Sequence, residues 1–177
     1  AAALLTAFGC SSGGDGGTTP AQLVCKNGGA VEAIAVIMLC GGSTDGTTET
    51  INLVLNVPAS ETGNTTLRGL NFDVMFDESN LMFVAGSQTG ELFDGALVGV
   101  ALSDPPDGHV VVTIQQKGDV IDPVSVGAGQ HAVFSLSFQR VAGSTFAATR
   151  LTFVNFEATD ASPAIDFLSD LELSYQQ

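Results

Sequence analysis

Apolar and polar residues alternate with a period of two through much of the chain after residue 49. The clearest examples are residues 51–57, which end at Pro58, and residues 70–76. Turn-forming sequences such as SDPPDG and VAGS separate these segments from further strand candidates, and helical periodicity is almost absent. The further candidates are residues 81–85, 96–102, 109–115, 132–139, 150–157 and 170–175. The pattern predicts an all-β fold, an antiparallel, jelly-roll-like β-sandwich of eight or nine strands.

The apolar segment AVEAIAVIML, residues 30–39, fits either a buried strand or a short helix. Its β-branched residues favour a strand, and the sequence GGSTDGTTET that follows it favours a polar loop. Large aromatic side chains on alternating positions are expected to fill the core: Phe134 and Phe138 with Leu136, together with Phe72 and either Phe153 or Phe156.

Composition narrows the classes of partner. The 177 residues include 5 Lys and Arg against 19 Asp and Glu, a formal net charge of −14. A surface of that charge repels phosphate backbones, so nucleic acid is not an expected partner. Trp is absent and Tyr is single, which disfavours a carbohydrate site built on stacking aromatics.

The N-terminal residues have the character of an export signal. Residues 1–9, AAALLTAFG, look like the tail of a signal peptide or an apolar N-terminal segment, and are too short to span a bilayer as a helix. Ala7, Phe8, Gly9 and Cys10 resemble the lipobox of bacterial lipoproteins, although that motif usually has Leu at the position of Ala7 and a smaller residue at that of Phe8. The resemblance implies lipidation of Cys10, with residues 10–20 as a Gly/Ser tether and residues 21–177 as one domain. An ordinary secretory signal and an uncleaved apolar tail remain open.

This interpretation assigns different roles to the three cysteines. If Cys10 carries a lipid, Cys25 and Cys40 remain as a pair, and in an exported protein such a pair is expected to form a disulfide. Two buried free thiols are the main alternative, and a metal site is a weaker one because no CxxC spacing is present.

Motifs for catalysis are absent: the sequence has no GxSxG, HExxH or P-loop, so no enzyme is predicted. Acidic loops offer oxygen ligands for a weakly bound calcium ion, but none has EF-hand spacing, and acidic residues also favour turns and solubility. The weak calcium candidates are Asp104, Asp107, Asp160 and Asp166, and two more loops offer Asp45 with Glu49 and Asp119 with Asp122.

Two stretches are similar to cohesin domains. Residues 70–93, LNFDVMFDESNLMFVAGSQTGELF, and residues 129–165, GQHAVFSLSFQRVAGSTFAATRLTFVNFEATDASPAI, follow the cohesin order of strands and Gly turns. The resemblance covers residues 49–175, the expected core of the domain. It implies a non-catalytic module, since cohesins of cellulosomes bind dockerin modules through one face of the sandwich, although a shared fold does not carry a shared partner.

These observations predict a lipid-anchored adhesion or protein-recognition module, exported to the bacterial outer membrane, the cell surface or the medium. Its partner is a protein, dockerin-like or a second copy, and it contacts the membrane only through its lipid. A filament subunit joined by N-terminal strand addition is one alternative. A carbohydrate-binding module is another.

Overall fold

The computed structural model of the protein describes residues 22–43, 45–88, 92–93, 97–102, 108–116 and 122–176. The predictions for residues 1–9, for Cys10 and the tether, and for Asp104, Asp107 and Asp119 lie outside these residues.

The described residues form fourteen β-strands. In chain order they are β1 (Gln22–Lys26), β2 (Ala35–Ser43), β3 (Thr48–Val57), β4 (Thr65–Leu67), β5 (Gly69–Met75), β6 (Leu81–Gln88), β7 (Leu97–Leu102), β8 (His109–Gln115), β9 (Val124–Val126), β10 (Gly129–Arg140), β11 (Thr149–Arg150), β12 (Thr152–Thr159), β13 (Asp166–Leu168) and β14 (Glu172–Gln176). No helix long and apolar enough to cross a membrane occurs among these residues.

Two larger sheets make the sandwich. One has the order β13-β2-β3-β10-β6 and the other the order β12-β5-β8-β7. Two small sheets, β1-β14-β11 and β4-β9, lie beside them. All pairings are antiparallel except that of β13 with β2, which is parallel. The predicted β-sandwich is therefore confirmed, with one parallel edge.

The nine segments expected to form strands all contain one, and five further strands are present. Four of the five, β4, β9, β11 and β13, have two or three residues. A strand this short is too brief to show a period of two, so the alternation in the sequence does not reveal it.

The predicted aromatic core is confirmed, and of the two candidates Phe153 and Phe156 it is Phe153 that belongs to it. Phe72, Phe134, Leu136 and Phe138 are fully buried, and Phe153 joins them. Phe156 is instead half-exposed and stacks on Phe167 with ring centroids 4.9 Å apart. Phe153 and Phe156 are three positions apart, so the alternation of a strand already places them on opposite sides. The register shift between Val154 and Glu157 then leaves Phe156 in the bulge.

The core begins earlier in the chain than the expected residue 49. Leu23 of β1 and Val36 and Met38 of β2 pack in the same apolar cluster as the later strands. The expected strand over residues 30–39 starts only at Ala35, because the side chain of Asn56 donates hydrogen bonds to the carbonyls of Val31 and Ala33 and holds that segment outside the sheet. The expected loop over residues 41–50 is wrong at both ends: β2 runs to Ser43 and β3 begins at Thr48.

Candidate functional site

The outer face of the five-stranded sheet is partly covered by the chain itself. Val31, from the segment that precedes β2, packs against Ala35, Ile37 and Val54, which are buried on the side of the sheet away from the main core. Such a second, small apolar cluster leaves that part of the face unavailable to another molecule.

Polar side chains of β3 and β10 on this face are paired with one another. The hydroxyl of Ser135 donates to the side-chain oxygen of Asn52 at 3.0 Å, and the hydroxyls of Thr50 and Ser137 lie 3.4 Å apart. These groups already have partners across the β3–β10 pairing, so they have less to gain from a ligand.

Within the described residues, no second apolar cluster covers the outer face formed by β5, β8 and β12. Since Leu70, Phe72 and Val74 of β5 and Val110, Val112 and Ile114 of β8 point into the core, the residues between them point outward. We call this surface the open face and define it by the outward residues of β5, β8 and β12: Asn71, Asp73, Met75, His109, Val111, Thr113, Thr152, Val154 and Glu157.

Two apolar side chains are exposed on the open face. Met75 is 42% exposed and Val111 is 37% exposed. They lie on adjacent strands, since Met75 pairs with His109 and Asp73 pairs with Val111. The two side chains are therefore diagonal neighbours, and exposed apolar side chains that lie near one another are candidates for an interaction surface.

The charges on the open face are acidic. The carboxylate of Asp73 accepts a hydrogen bond of 2.7 Å from the side-chain amide of Asn155, which sits at a positive φ of 49° in the β12 bulge. Glu157 pairs with Asn71 across the same two strands and is exposed. With a chain charge of −14, the surface therefore favours a partner with basic side chains.

The predicted disulfide is confirmed. Cys25 of β1 and Cys40 of β2 are bonded, with Cα atoms 5.7 Å apart. The bond fastens the small β1-β14-β11 sheet to the five-stranded sheet, and one main-chain hydrogen bond supports it, from Leu23 N to the carbonyl of Gly46.

The candidate calcium ligands that lie in the described ranges do not form a common site. Asp160 lies 3.3 Å from the Nε atom of Arg68, and Asp166 is exposed in β13. The carboxylate of Asp45 accepts hydrogen bonds from the backbone N–H groups of Thr47 and Thr48, which lower its pKa. No group of three or more His, Cys, Asp or Glu side chains that could hold a metal ion exists within the described ranges. Calcium binding stays a prediction.

The environment of Glu49 differs from the one predicted from the sequence. Expected in a polar loop, it lies in β3 on the core side of the sheet, only 3% exposed. Burial raises the pKa of its carboxyl group, and a hydrogen bond of 3.0 Å from the N–H of Gly42 opposes this only in part. The alternation itself was the available signal, because residues 49, 51, 53 and 55 share one side of the strand.

Together these features define a β-sandwich module with one sheet face partly covered by its own chain and the other open and acidic. Solved structures with this architecture are cohesin modules, and the protein has their fold. Its fold is similar to the sixth cohesin of scaffoldin B from Acetivibrio cellulolyticus, solved with a mutant Cel5 dockerin, at 12% identity, a TM-score of 0.57 and coverage of 77% of this chain and 95% of that one.

Two further structures agree. A type I cohesin–dockerin complex from Clostridium thermocellum matches at 13% identity and a TM-score of 0.54, with coverage of 82% of this chain and 96% of that one. The second type II cohesin module of the ScaA adaptor scaffoldin from Acetivibrio cellulolyticus matches at 13% identity and a TM-score of 0.55, with coverage of 81% and 91%. No protein-family model and no curated protein matches the sequence.

Proposed function

We propose that the protein is a non-catalytic module that binds a protein partner through its open face. The observation that carries the proposal is the contrast between the two outer faces. The five-stranded sheet is partly covered by Val31 and paired between β3 and β10, and its exposed apolar side chains, Met82, Val84 and Leu168, lie on its edge strands β6 and β13. The four-stranded sheet instead exposes Met75 and Val111 on its two central strands, among polar side chains. An apolar centre with a polar surround is the usual composition of a protein-binding surface.

The similar cohesins support a protein partner over a sugar. Two of the matched structures were solved as complexes with dockerins. The outward residues of β5, β8 and β12 include no Trp or Tyr, so these strands offer no Trp or Tyr platform on which a sugar ring could stack. The acidic side chains Asp73 and Glu157 match a partner that contributes Lys or Arg to the contact.

The place of action in this proposal is outside the cytoplasm. The Cys25–Cys40 disulfide supports export, because such bonds persist in oxidising compartments. We further propose that Cys10 carries the lipid that anchors the module and that residues 11–20 act as its tether. Intact-mass measurement of the protein from its native host tests this: a chain that begins at an acylated Cys10 is expected, and one that retains residues 1–9 without lipid would contradict it.

The binding proposal is tested in two stages. Immobilised protein captures partners from the surface and secreted proteins of the host, and each captured protein is then purified and titrated by calorimetry. Val111→Arg is expected to weaken binding at least tenfold, because it places a long cation at the apolar centre of the contact.

Leu168→Arg is the matched control. Leu168 is 38% exposed against 37% for Val111, and it pairs with Ile37 at the opposite edge of the five-stranded sheet from β6. The variant adds the same side chain to the other sheet and is expected to leave the affinity unchanged. Equal affinities for wild type and Val111→Arg, or loss only in Leu168→Arg, would refute binding through the open face. Polymers that form with rising concentration and vanish when residues 1–9 are deleted would support the filament alternative instead.

A further inference from the structure

An apolar cleft of about 220 Å³ opens where β5 ends and β6 and β8 begin. We call it the end cleft and define it by its lining residues: Phe76, Glu78, Leu81, Met82, Phe83, Gly108, His109 and Val141. Five of these eight residues have large apolar side chains. Met82 is 50% exposed at the cleft although it is apolar along its whole length, so apolar surface is left in contact with water here.

A buried aromatic ring packs behind the apolar wall of the end cleft and fixes its position. The ring of Phe138, fully buried, contacts the ring of Phe76 edge-on with centroids 5.2 Å apart and that of Phe83 with centroids 5.9 Å apart. Because all three rings are fixed against one another, the cleft exists before any ligand arrives, and a ligand does not have to order it.

Backbone contacts fix the rim. The N–H of Phe76 donates to the carbonyl of Gly108 at 2.7 Å, and the N–H of Val141 donates to the carbonyl of Asn80 at 2.9 Å. Between them the carboxylate of Asp77 accepts hydrogen bonds from the backbone and hydroxyl of Ser79 and from the amide of Asn80, which orders the turn that carries Glu78.

Gly108 lets β8 approach this closely. It has a positive φ of 75°, and a Cβ atom there would overlap the carbonyl oxygen of Phe76. Any other residue would therefore push the start of β8 away from the end of β5 and open the cleft wall.

The end cleft continues the open face. Met75, exposed on that face, directly precedes Phe76 in the cleft wall, and its register partner His109 is itself part of the lining. A partner seated on Met75 and Val111 therefore has the mouth of the cleft at the end of the same strands.

We propose that the end cleft is the anchor pocket of the partner, filled by one large apolar side chain of the size of Leu, Met or Phe, with a Lys or Arg beside it paired to Glu78. This rests on the proposed function of the open face. The volume fits, since a cavity of about 150 Å³ lined by apolar side chains is enough to bind benzene. The charge also fits: Glu78 is exposed at the rim of a chain with a net charge of −14, so a basic neighbour is attracted and an acidic one repelled.

The test uses short peptides, so that it does not depend on knowing the partner. Acetyl-leucyl-lysine amide is titrated into methyl-labelled protein, with acetyl-seryl-lysine amide and acetyl-leucyl-glutamate amide as comparisons. The methyl resonances of Leu81, Met82 and Val141 are expected to shift with the first peptide and not with the seryl one. Replacing lysine by glutamate in the leucyl peptide, or Glu78 by Gln in the protein, is expected to weaken binding about threefold, as an exposed ion pair does.

Met82→Glu and Val84→Glu form a matched pair of variants. Both residues lie in β6 and both are 50% exposed, but only Met82 lines the cleft. Met82→Glu is expected to weaken binding of the leucyl-lysine peptide at least tenfold, and Val84→Glu is expected to leave it unchanged.

The outcomes separate this proposal from the proposed function. If leucyl and seryl peptides shift the methyl resonances equally, or if both variants bind alike, the anchor pocket is overturned while Val111→Arg can still abolish binding of the captured partner. If the peptides behave as expected and a captured partner loses affinity with Met82→Glu as well as with Val111→Arg, both proposals are supported. A captured partner that is insensitive to Met82→Glu overturns the anchor pocket alone.

Discussion

Removing the Cys25–Cys40 disulfide is the perturbation whose effect can be worked out most directly. The two cysteines are 15 positions apart, and closing a loop of about 15 residues in the unfolded chain corresponds to roughly 3 kcal/mol in the chain-entropy model. The double variant Cys25→Ala/Cys40→Ala is therefore expected to lose about 3 kcal/mol of unfolding free energy. For a domain of this size that loss lowers the Tm by about 6 to 12 °C.

The loss should also be local. β1 pairs with β14 and is otherwise held to the main sheets by the disulfide, the Leu23–Gly46 hydrogen bond and its apolar contacts with the core. We expect amide hydrogens in residues 22–26 to exchange faster in the double variant, while those of β3 and β10 keep their protection relative to the global unfolding free energy.

Urea unfolding of oxidised wild type, reduced wild type and the double variant measures the effect. Reduced wild type serves as the control, because it lacks the bond but keeps both sulfur atoms, and it should unfold with the double variant. Coincident midpoints for oxidised wild type and the double variant would refute the reasoning.

Three further comparisons test the aromatic core, a close backbone approach at a glycine and the pH dependence of stability. Phe138→Ala is expected to cost about 3 to 5 kcal/mol in urea unfolding, whereas Phe156→Ala, on a half-exposed ring, should cost far less. Gly108→Ala is expected to lose roughly 1 to 3 kcal/mol, and more than Gly143→Ala, which has a similar φ but open space around it. Burial raises the pKa of Glu49 above its ordinary 4.5, so its contribution to stability is full below pH 4.5 and is lost as the pH rises through the folded-state pKa. Glu49→Gln should therefore be more stable than wild type at pH 7, with the difference shrinking toward pH 4; a pH-independent difference would contradict this.

Much of the fold could be predicted because the determining signals are local. A period-two alternation such as that of residues 51–57 records which side of a strand is buried without reference to the rest of the chain. The pairing of Cys25 with Cys40 was likewise predicted from an expected oxidising compartment and from assigning the third cysteine, Cys10, to a lipid.

The prediction is incomplete where a residue far away in the sequence determines the bounds of a strand or the side on which a side chain lies. Asn56 keeps Val31 and Ala33 out of β2, and a bulge in β12 makes Glu157 the next outward residue after Val154. Neither effect is visible in a window of ten residues, because each depends on a partner strand whose register the sequence does not state.

The sequence by itself determined an all-β sandwich, its apolar core, its acidic surface and its disulfide. Only the tertiary structure decided which outer face stays open and where the end cleft lies. The physical reason is that each sheet has two sides, and alternation marks the side that faces the core without saying what covers the other. Val31 packing on one outer face, and the meeting of Phe76, Gly108 and Val141 beside the other, are long-range contacts that form only when the whole chain is folded.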